Sequence, residues 1–354
     1  MSSSLAARDP SKARAPMTNA INAATKDMLR EPADPSRQGD PGKQRFQKVQ
    51  NVAEIQLTAK NLVRCSHCQG PTANWQPATG CRLLATGYWL LATGYWQLST
   101  DMSDPSKQSQ ELFFELYESL PRQGPGNREC AARALAMCRD LSTAPAVLDL
   151  GCGVGGQTLH LAELTSGPIV AVDLHVPSMP RLRRTLADRR LSHRVLPVIG
   201  DMARPSFRPA SFDLIWSEGA LYNIGIENAL RICRPLLRAN GHVVFTDAVW
   251  RKKDPPPDVR AAFELDSPTM GWVADVVAII ERSGFELLGH FTLPDEAWWA
   301  DFYTPMQRRL EELRARYAGD EEATSVIEQL SEEPEMHRRH AEFYAYEFFV
   351  ARRA

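Results

Sequence analysis

The chain has 354 residues, of which 44% are hydrophobic and 24% are charged, a composition typical of a soluble globular protein. No apolar run approaches the roughly 18 residues that a membrane-spanning helix requires, and the first residues lack the apolar stretch of a secretory signal. Seven cysteines without dense, regular spacing do not indicate a disulfide scaffold. These features exclude an integral membrane protein and predict a cytoplasmic location.

The charge is divided unevenly along the chain. Residues 1–101 carry 12 basic and 7 acidic residues, whereas residues 102–354 carry 29 basic and 36 acidic residues, a net charge of −7. An acidic domain repels phosphate backbones at long range, which argues against nucleic acid as a partner. The arginine-rich segment 181–190 is interpreted as one solvated helix face.

The first 101 residues are predicted to be a disordered leader. Residues 1–60 are polar and rich in Pro, Gly and Ser, and Leu83–Trp89 and Leu90–Trp96 both read LLATGYW. The heptanucleotide CTACTGG, repeated three times, encodes this peptide, so the repeat is best explained as translated upstream DNA. We therefore expect synthesis to start at Met102, followed by one folded domain over residues 102–354. Cys65, Cys68 and Cys81 lack a fourth ligand at suitable spacing, so no metal site is predicted.

From Met102 onward, short apolar runs alternate with amphipathic stretches. Strands are predicted over Ala146–Leu150, Ile169–Leu174, Val195–Ile199, Phe212–Trp216 and His242–Asp247, and helices over residues 157–164, 180–190 and 226–237. This alternation predicts an α/β fold, a parallel sheet with helices on both faces. Right-handed crossovers then bring the loops that follow the strands to one edge of the sheet, where ligands bind.

A glycine-rich loop, GCGVGG at residues 151–156, follows the first predicted strand. Its first, third and sixth residues match the pattern G-x-G-x-x-G, and Asp173 follows about 20 residues later, at the end of the second strand. This pattern is typical of dinucleotide-binding domains. A nicotinamide-dependent oxidoreductase is therefore one interpretation of the loop.

Asp149, two positions before the loop, favours a different ligand. A carboxylate faces a pyrophosphate unfavourably, whereas S-adenosylmethionine carries no phosphate and has a cationic α-amino group. Glycines allow the close backbone approach that either ligand needs. We therefore predict that Asp149, Gly151, Gly153 and Gly155 bind S-adenosylmethionine.

Acidic residues after the second and third strands are candidates for binding the adenosine end of the cofactor. Asp173 is expected to accept hydrogen bonds from the ribose hydroxyls, and the alternative is a helix cap. Asp201 is expected to accept from the adenine amino group, with Met202 against the ring, and the alternative is a cap or turn.

Five motifs occur in one order and spacing: VLDLGCGVGG, VAVDL, GDM, SFDLIWSEGALYNIG and NGHVVFTD. Together they resemble the class I S-adenosylmethionine-dependent methyltransferases, and most of all the small-molecule group related to the ubiquinone and menaquinone biosynthesis enzymes. A narrower resemblance, through RQGPG, GCGxGGQT and WSEGAxYNIG, is to uncharacterised bacterial members. The resemblance covers roughly residues 110–350. It implies a Rossmann-like, seven-stranded sheet with an antiparallel last strand, to which Phe343–Val350 and, before it, Phe285–Leu293 correspond.

Methyl transfer from a sulfonium mainly requires in-line positioning of the nucleophile and the methyl group. The segment after the fourth strand supplies Ser217 as a cofactor contact, with Glu218 and Tyr222 as candidate catalytic residues. The alternative is that the last two only satisfy nearby backbone groups. His290, on the sixth strand, is a candidate general base, although a lone histidine on a strand is more often structural.

Two further regions are predicted to wall the acceptor side. The amphipathic helix Leu112–Gln123 is expected to cover the cofactor, with Tyr117 and Arg122 as contacts. The insertion between the last two strands contains an aromatic cluster and a charged helix, Met306–Tyr317. Its aromatic residues either line the acceptor site or dock that helix on the sheet: Trp298, Trp299 and Tyr303.

The sequence lacks the Asn/Asp-Pro-Pro-aromatic motif of base and glutamine N-methylation, and also a Pro-Cys nucleophile. With the acidic charge, this predicts methyl transfer to an oxygen or carbon nucleophile of a small metabolite, with neither nucleic acid nor membrane as a partner. Two alternatives remain beside the oxidoreductase. One is a methyltransferase of a macromolecule (RNA or protein), and the other is a regulator that binds S-adenosylmethionine without turnover.

Overall fold

The computed structural model describes residues 107–267 and 269–354. The predictions made for the leader, including the LLATGYW repeat and a start at Met102, lie outside the described residues. No helix within the described ranges is both long and apolar enough to cross a membrane.

The described chain forms one seven-stranded sheet. Its strands are β1 (Val147–Leu150), β2 (Ile169–Asp173), β3 (Val195–Ile199), β4 (Phe212–Glu218), β5 (Leu237–Trp250), β6 (Phe285–Thr292) and β7 (Tyr344–Arg353). Their order in the sheet is β3-β2-β1-β4-β5-β7-β6. The pairs from β3 to β5 are parallel, and β7 runs antiparallel to both β5 and β6. The predicted Rossmann-like sheet with an antiparallel last strand is confirmed.

Helices connect the strands and cover both faces of the sheet. They are α1 (Lys107–Ser119), α2 (Arg128–Met137), α3 (Gly156–Leu164), α4 (Ser178–Asp188), α5 (Ile226–Leu236), α6 (Pro257–Asp266), α7 (Val273–Arg282), α8 (Thr304–Arg316) and α9 (Glu321–His340). A 3-10 turn, Leu221–Ile224, precedes α5, and a π-helical turn, Trp299–Tyr303, precedes α8.

The central strands β1, β2 and β4 are buried on both faces because their apolar side chains point alternately to two separate cores. In β4, Leu214 and Trp216 pack with α1–α4, α8 and α9, whereas Ile215 packs with α5 and α7. Such continuous apolar strands explain why short apolar runs predicted the sheet correctly. The core therefore holds the carboxyl ends of β1 and β4 rigidly beside each other.

Two element boundaries and one additional helix differ from the predictions. β4 continues to Glu218, so Ser217 and Glu218 are the last residues of a strand instead of the first residues of a loop. α1 ends at Ser119, which leaves Arg122 in the loop beyond it. The insertion between β6 and β7 also contains α9, which was not predicted.

Candidate functional site

A cleft opens at the carboxyl ends of β1 and β4. It holds about 660 Å³ of empty space, including space open to solvent. Its lining comes from the end of α1 and the loop after it, from the glycine loop and the start of α3, from the end of β4 and the turn that follows, and from β7. The lining residues are Tyr117, Arg122, Gln123, Gly124, Pro125, Gly151, Cys152, Gly153, Val154, Gly156, Gln157, Glu218, Gly219, Tyr222 and Tyr346.

The glycine loop is held against the second strand by its own backbone. The N–H groups of Gly151 and Cys152 both donate to the Val172 carbonyl, at 2.9 and 3.0 Å. Gly151 has φ +72°, and a Cβ there would lie 2.4 Å from the Ala220 Cβ. Only glycine therefore fits where the loop meets the end of β4.

Gly151→Ala is expected to destabilise the protein by about 2 kcal/mol, because left-handed strain and overpacking add together. Gly319→Ala, at φ +91° with open space around it, is the matched control and should cost only about 1 kcal/mol. Adding Ala220→Gly to Gly151→Ala should recover the difference. Urea unfolding measures all three values, and equal losses in both single variants would contradict the close contact with Ala220.

Asp149 lies directly beneath the glycine loop and is fully buried. Its carboxylate accepts hydrogen bonds from the Thr158 hydroxyl at 2.6 Å and the Gln157 amide at 3.4 Å. Burial raises the pKa of Asp149 to about 7, and the negative charges of Glu218 and Asp173 add to that effect. Asp149 is not among the residues that line the cleft, and Gln157 lies between its carboxylate and the cleft.

A buried ion pair closes the opposite side of the cleft. The Arg122 Nη2 atom lies 2.5 Å from the Glu218 Oε2 atom, and the two side chains are 5% and 1% exposed. Arg122 also donates to the carbonyls of Gly124 and Pro125. The other carboxylate oxygen of Glu218 accepts from the Trp216 indole at 2.7 Å. Both oxygens of Glu218 thus accept a hydrogen bond, one from Arg122 and one from Trp216. Glu218 is therefore well placed to orient the Arg122 guanidinium.

Arg122 has one guanidinium nitrogen left over, which carries two N–H donors. Its Nη1 atom is buried and has no partner within the described chain. A buried donor without an acceptor is costly, and a carboxylate is the acceptor that the fork of a guanidinium binds best. The methionine carboxylate of S-adenosylmethionine therefore fits the residues on this side of the cleft.

Asp173 fastens two loops at the end of β2. It is buried, and its two carboxylate oxygens accept from the backbone N–H groups of Gly153 and His175, each at 2.7 Å. Leu174, the next residue, is 45% exposed beside it. Leu174 therefore presents an exposed apolar surface against which a planar ring such as adenine could pack. This residue was not among the predicted site residues.

Asp201 and Met202 lie after β3. The Asp201 carboxylate accepts from the Ala203 backbone N–H at 2.8 Å, which is the turn contact of the alternative interpretation. The Met202 methyl group lies 3.3 Å from the place where a Cβ on Gly151 would stand. Met202 is therefore adjacent to the glycine loop.

Side-chain amides join the loop after α1 to the glycine loop. The Gln123 side chain accepts from the Val154 N–H at 3.0 Å and donates to the Tyr117 carbonyl at 3.3 Å. Ser217 donates to the Leu150 carbonyl at 2.8 Å, so it ties β4 to β1. Tyr117 and Tyr222 both line the cleft, as do the glycines at 151 and 153.

Several predicted residues do not line the cleft. Six of them lie at the strand ends or in the loops beside it: Asp149, Gly155, Asp173, Asp201, Met202 and Ser217. His290 and the aromatic residues of the insertion do not line it either. His290, on the edge strand β6, is bonded through Nδ1 to Glu347 at 2.5 Å. Trp298 and Tyr303 are buried, and Trp298 stacks on His337 with 4.1 Å between ring centroids. These aromatic residues dock the insertion onto the sheet.

Nine lining residues are not among the predicted site residues: Gln123, Gly124, Pro125, Cys152, Val154, Gly156, Gln157, Gly219 and Tyr346. The two glutamines stand within the quoted motifs RQGPG and GCGxGGQT, so they carried a local signal. Tyr346 lies at the cleft because β7 pairs antiparallel with β5, which places Tyr346 opposite Ala248. Register between distant strands leaves no signal in a single sequence.

Residues 147–241 match the family model described as a methyltransferase domain. The segment from β1 to the start of β5 is therefore similar to a methyltransferase domain. Sterol 24-C-methyltransferase of Aspergillus fumigatus is 26% identical over 168 residues, which are 45% of each chain. Dimethylglycine N-methyltransferase of Parasynechococcus marenigrum is 31% identical over 102 residues, 28% of this chain and 36% of that one. The chain thus spans less than half the length of these curated relatives.

Solved structures share the fold of the described chain. A methyltransferase of Geobacter sulfurreducens, in complex with S-adenosyl-L-homocysteine, superposes with a TM-score of 0.59 at 18% identity, covering 71% of this chain and 99% of that one. A sarcosine dimethylglycine methyltransferase homologue of Galdieria sulphuraria gives a TM-score of 0.57 at 18% identity, with coverage of 70% and 99%. The finer resemblance to ubiquinone and menaquinone enzymes stays a prediction.

Proposed function

We propose that the protein transfers the methyl group of S-adenosylmethionine to a small-molecule acceptor in the cleft between the glycine loop and Glu218. The observation that carries this proposal is the buried Arg122 guanidinium, whose Nη1 has no partner within the described chain. Bound there, the cofactor supplies an electrophilic methyl group on a sulfonium. The family match of residues 147–241 supports the same reaction.

The protein's own residues have positioning as their main task. Arg122, oriented by Glu218, would hold the methionine carboxylate. Gln157, whose amide donates to the Gly151 carbonyl and to Asp149, would face the α-amino group through its carbonyl oxygen. Asp173 would bind the ribose from the other end of the glycine loop. These contacts would hold the methyl group toward the region of Tyr222 and Tyr346.

For the acceptor, we propose first an oxygen or carbon nucleophile of a small metabolite. The absence of an Asn/Asp-Pro-Pro-aromatic motif supports this choice, as does the C-methylation in the name of the sterol 24-C-methyltransferase relatives. A hydroxyl acceptor needs a group to receive its proton. Water in the open cleft is the proposed proton acceptor, Tyr222 of the cleft lining is proposed to orient the acceptor hydroxyl, and Glu218 positions Arg122.

A nitrogen acceptor is the second candidate. Relatives named dimethylglycine N-methyltransferase and phosphoethanolamine N-methyltransferase 3 favour it, the latter from Arabidopsis thaliana at 30% identity over 148 residues. Three tyrosines, Tyr117, Tyr222 and Tyr346, line the cleft. Aromatic rings attract ammonium groups, so the product of amine methylation would be stabilised there.

Asp173→Ala is expected to weaken the binding of S-adenosylmethionine about tenfold, because a charged acceptor of hydrogen bonds is lost. Calorimetric titration of the full chain with S-adenosylmethionine and its demethylated product measures the effect. Asp188→Ala, on the exposed side of α4, is the matched control that removes the same charge. Unchanged affinity in Asp173→Ala beside normal wild-type binding would contradict the assigned role of Asp173, and no wild-type binding would contradict the proposed cofactor.

Turnover then distinguishes the candidate acceptors. The protein is incubated with S-adenosylmethionine labelled in its methyl group and with the small-molecule, RNA and protein fractions of a cell extract. Label in the small-molecule fraction supports the proposed reaction, and chemical analysis of that product separates oxygen, carbon and nitrogen acceptors. Label in RNA or protein would favour a methyltransferase of a macromolecule, and binding without turnover would favour a regulator.

We also propose a cytoplasmic location. Within the described ranges, Cys130, Cys138, Cys152 and Cys233 are all buried free thiols. Burial raises the pKa of Cys138 to about 12, so this thiol stays protonated and unreactive. Free thiols are the usual state in a reducing compartment.

A further inference from the structure

A glutamate of α9 lies in the apolar core between the helices that cover the cleft. Glu333 is 3% exposed and accepts hydrogen bonds from two tyrosine hydroxyls, Tyr117 at 2.6 Å and Tyr303 at 3.3 Å. Burial raises the pKa of Glu333 to about 7. An apolar side chain would fill this position at less cost, because burying a carboxyl lowers the stability of the fold unless the carboxyl is hydrogen-bonded.

The two tyrosines differ in one respect. Tyr117 lines the cleft, whereas Tyr303 is buried in the insertion between β6 and β7 and does not reach it. The Tyr117 ring stacks on Phe113, with 4.4 Å between centroids, so packing supports one face of it. The hydroxyl bond to Glu333 fixes the far end of the same ring. Glu333 is thereby the polar contact between the insertion and a side chain of the cleft.

We propose that Glu333 is a positioning residue that holds the Tyr117 ring against the cofactor, so that the insertion between β6 and β7 sets cofactor affinity. This inference rests on the proposed function. A tyrosine ring turns about two side-chain bonds, and a hydroxyl bonded to a buried carboxyl removes that freedom before the ligand arrives. Preorganisation of this kind strengthens binding without adding a contact to the ligand.

A double-mutant cycle at Glu333 and Tyr117 tests the proposal. The measured quantity is the Kd of the full chain for S-adenosylhomocysteine, by calorimetry, with urea unfolding in parallel. Glu333→Leu and Tyr117→Phe are each expected to weaken binding about tenfold. The double variant should bind no worse than either single one, because both substitutions break the same bond. Glu333→Gln retains an acceptor for the hydroxyl and should stay within threefold of the wild type.

Tyr303→Phe is the matched control, since it removes the other hydroxyl bonded to Glu333. It is expected to lower the free energy of unfolding and leave the Kd unchanged. If Glu333→Leu fails to fold, Tyr117→Phe alone tests the proposal, and a Kd for Tyr117→Phe equal to the wild-type value overturns it. Reduced stability with an unchanged Kd in Glu333→Leu, or losses that add in the double variant, would also overturn it. Absence of binding by the wild type would instead contradict the proposed function.

Discussion

Arg122→Met is expected to abolish measurable cofactor binding and to destabilise the fold by about 4 kcal/mol. Removing one partner of a buried ion pair leaves the other charge without compensation, and Glu218 is only 1% exposed. The substitution also removes the donors to the carbonyls of Gly124 and Pro125, which shape the loop after α1. Urea unfolding and calorimetric titration with S-adenosylmethionine measure the two losses separately.

The double variant Arg122→Met/Glu218→Gln separates folding from binding. Neutralising both partners removes the buried charge, so most of the lost stability should return. Binding should stay lost, because the guanidinium that would hold the methionine carboxylate is still absent. Recovery of binding in the double variant would contradict the direct role assigned to Arg122 and would leave it only as the partner of Glu218.

Glu218→Gln alone addresses how Glu218 acts. If Glu218 is a positioning residue, the substitution should mainly weaken cofactor affinity, because the Trp216 indole and Arg122 both lose a charged acceptor. A general base would instead lose turnover at unchanged affinity. The short contacts to both of its oxygens favour the first outcome.

The sheet and the glycine loop were predictable because their signals are local. Each central strand is a short apolar run that ends at a polar or glycine residue, and VLDLGCGVGG joins β1 to the loop in consecutive residues. Asp173 was found at the end of β2 for the same reason. A residue at the carboxyl end of a parallel strand faces the ligand edge whatever the rest of the chain does.

The contacts inside the site were not predictable, because they join residues distant in sequence. Arg122 and Glu218 are separated by 96 positions, and Tyr117 and Glu333 by 216. The helix that carries Glu333 was missed for a local reason. Pro334 stands inside α9, where it normally ends a helix, and the tertiary contacts of that helix outweigh the lost backbone bond.

Among the buried carboxyls of the described chain, burial raises the pKa of three to about 7: Asp149, Asp247 and Glu333. Both carboxylate oxygens of Asp149 and of Glu333 accept hydrogen bonds from side-chain donors. Asp247 differs, because its Oδ1 atom is buried and has no partner within the described chain. Its backbone stands at the carboxyl end of β5, opposite Glu347 of β7.

Such a carboxyl makes stability depend on pH in a predictable direction. An unfolded aspartate loses its proton near pH 3.8, whereas Asp247 in the fold retains its proton until about pH 7. Between these values the unfolded state binds fewer protons, so the free energy of unfolding falls as the pH rises. At 1.36 kcal/mol per pKa unit, the loss reaches at most about 4 kcal/mol above pH 7.

Asp247→Asn is therefore expected to stabilise the protein by about 3 kcal/mol at pH 8, since an amide cannot ionise. The advantage over the wild type should grow by about 3 kcal/mol between pH 5 and pH 8, because only the wild type carries a titrating group at this position and the other buried carboxyls cancel in the difference. Urea unfolding at the two pH values measures this change, with Asp188→Asn on the exposed side of α4 as the control for charge alone. A difference that does not vary with pH would show that Asp247 titrates normally in the fold.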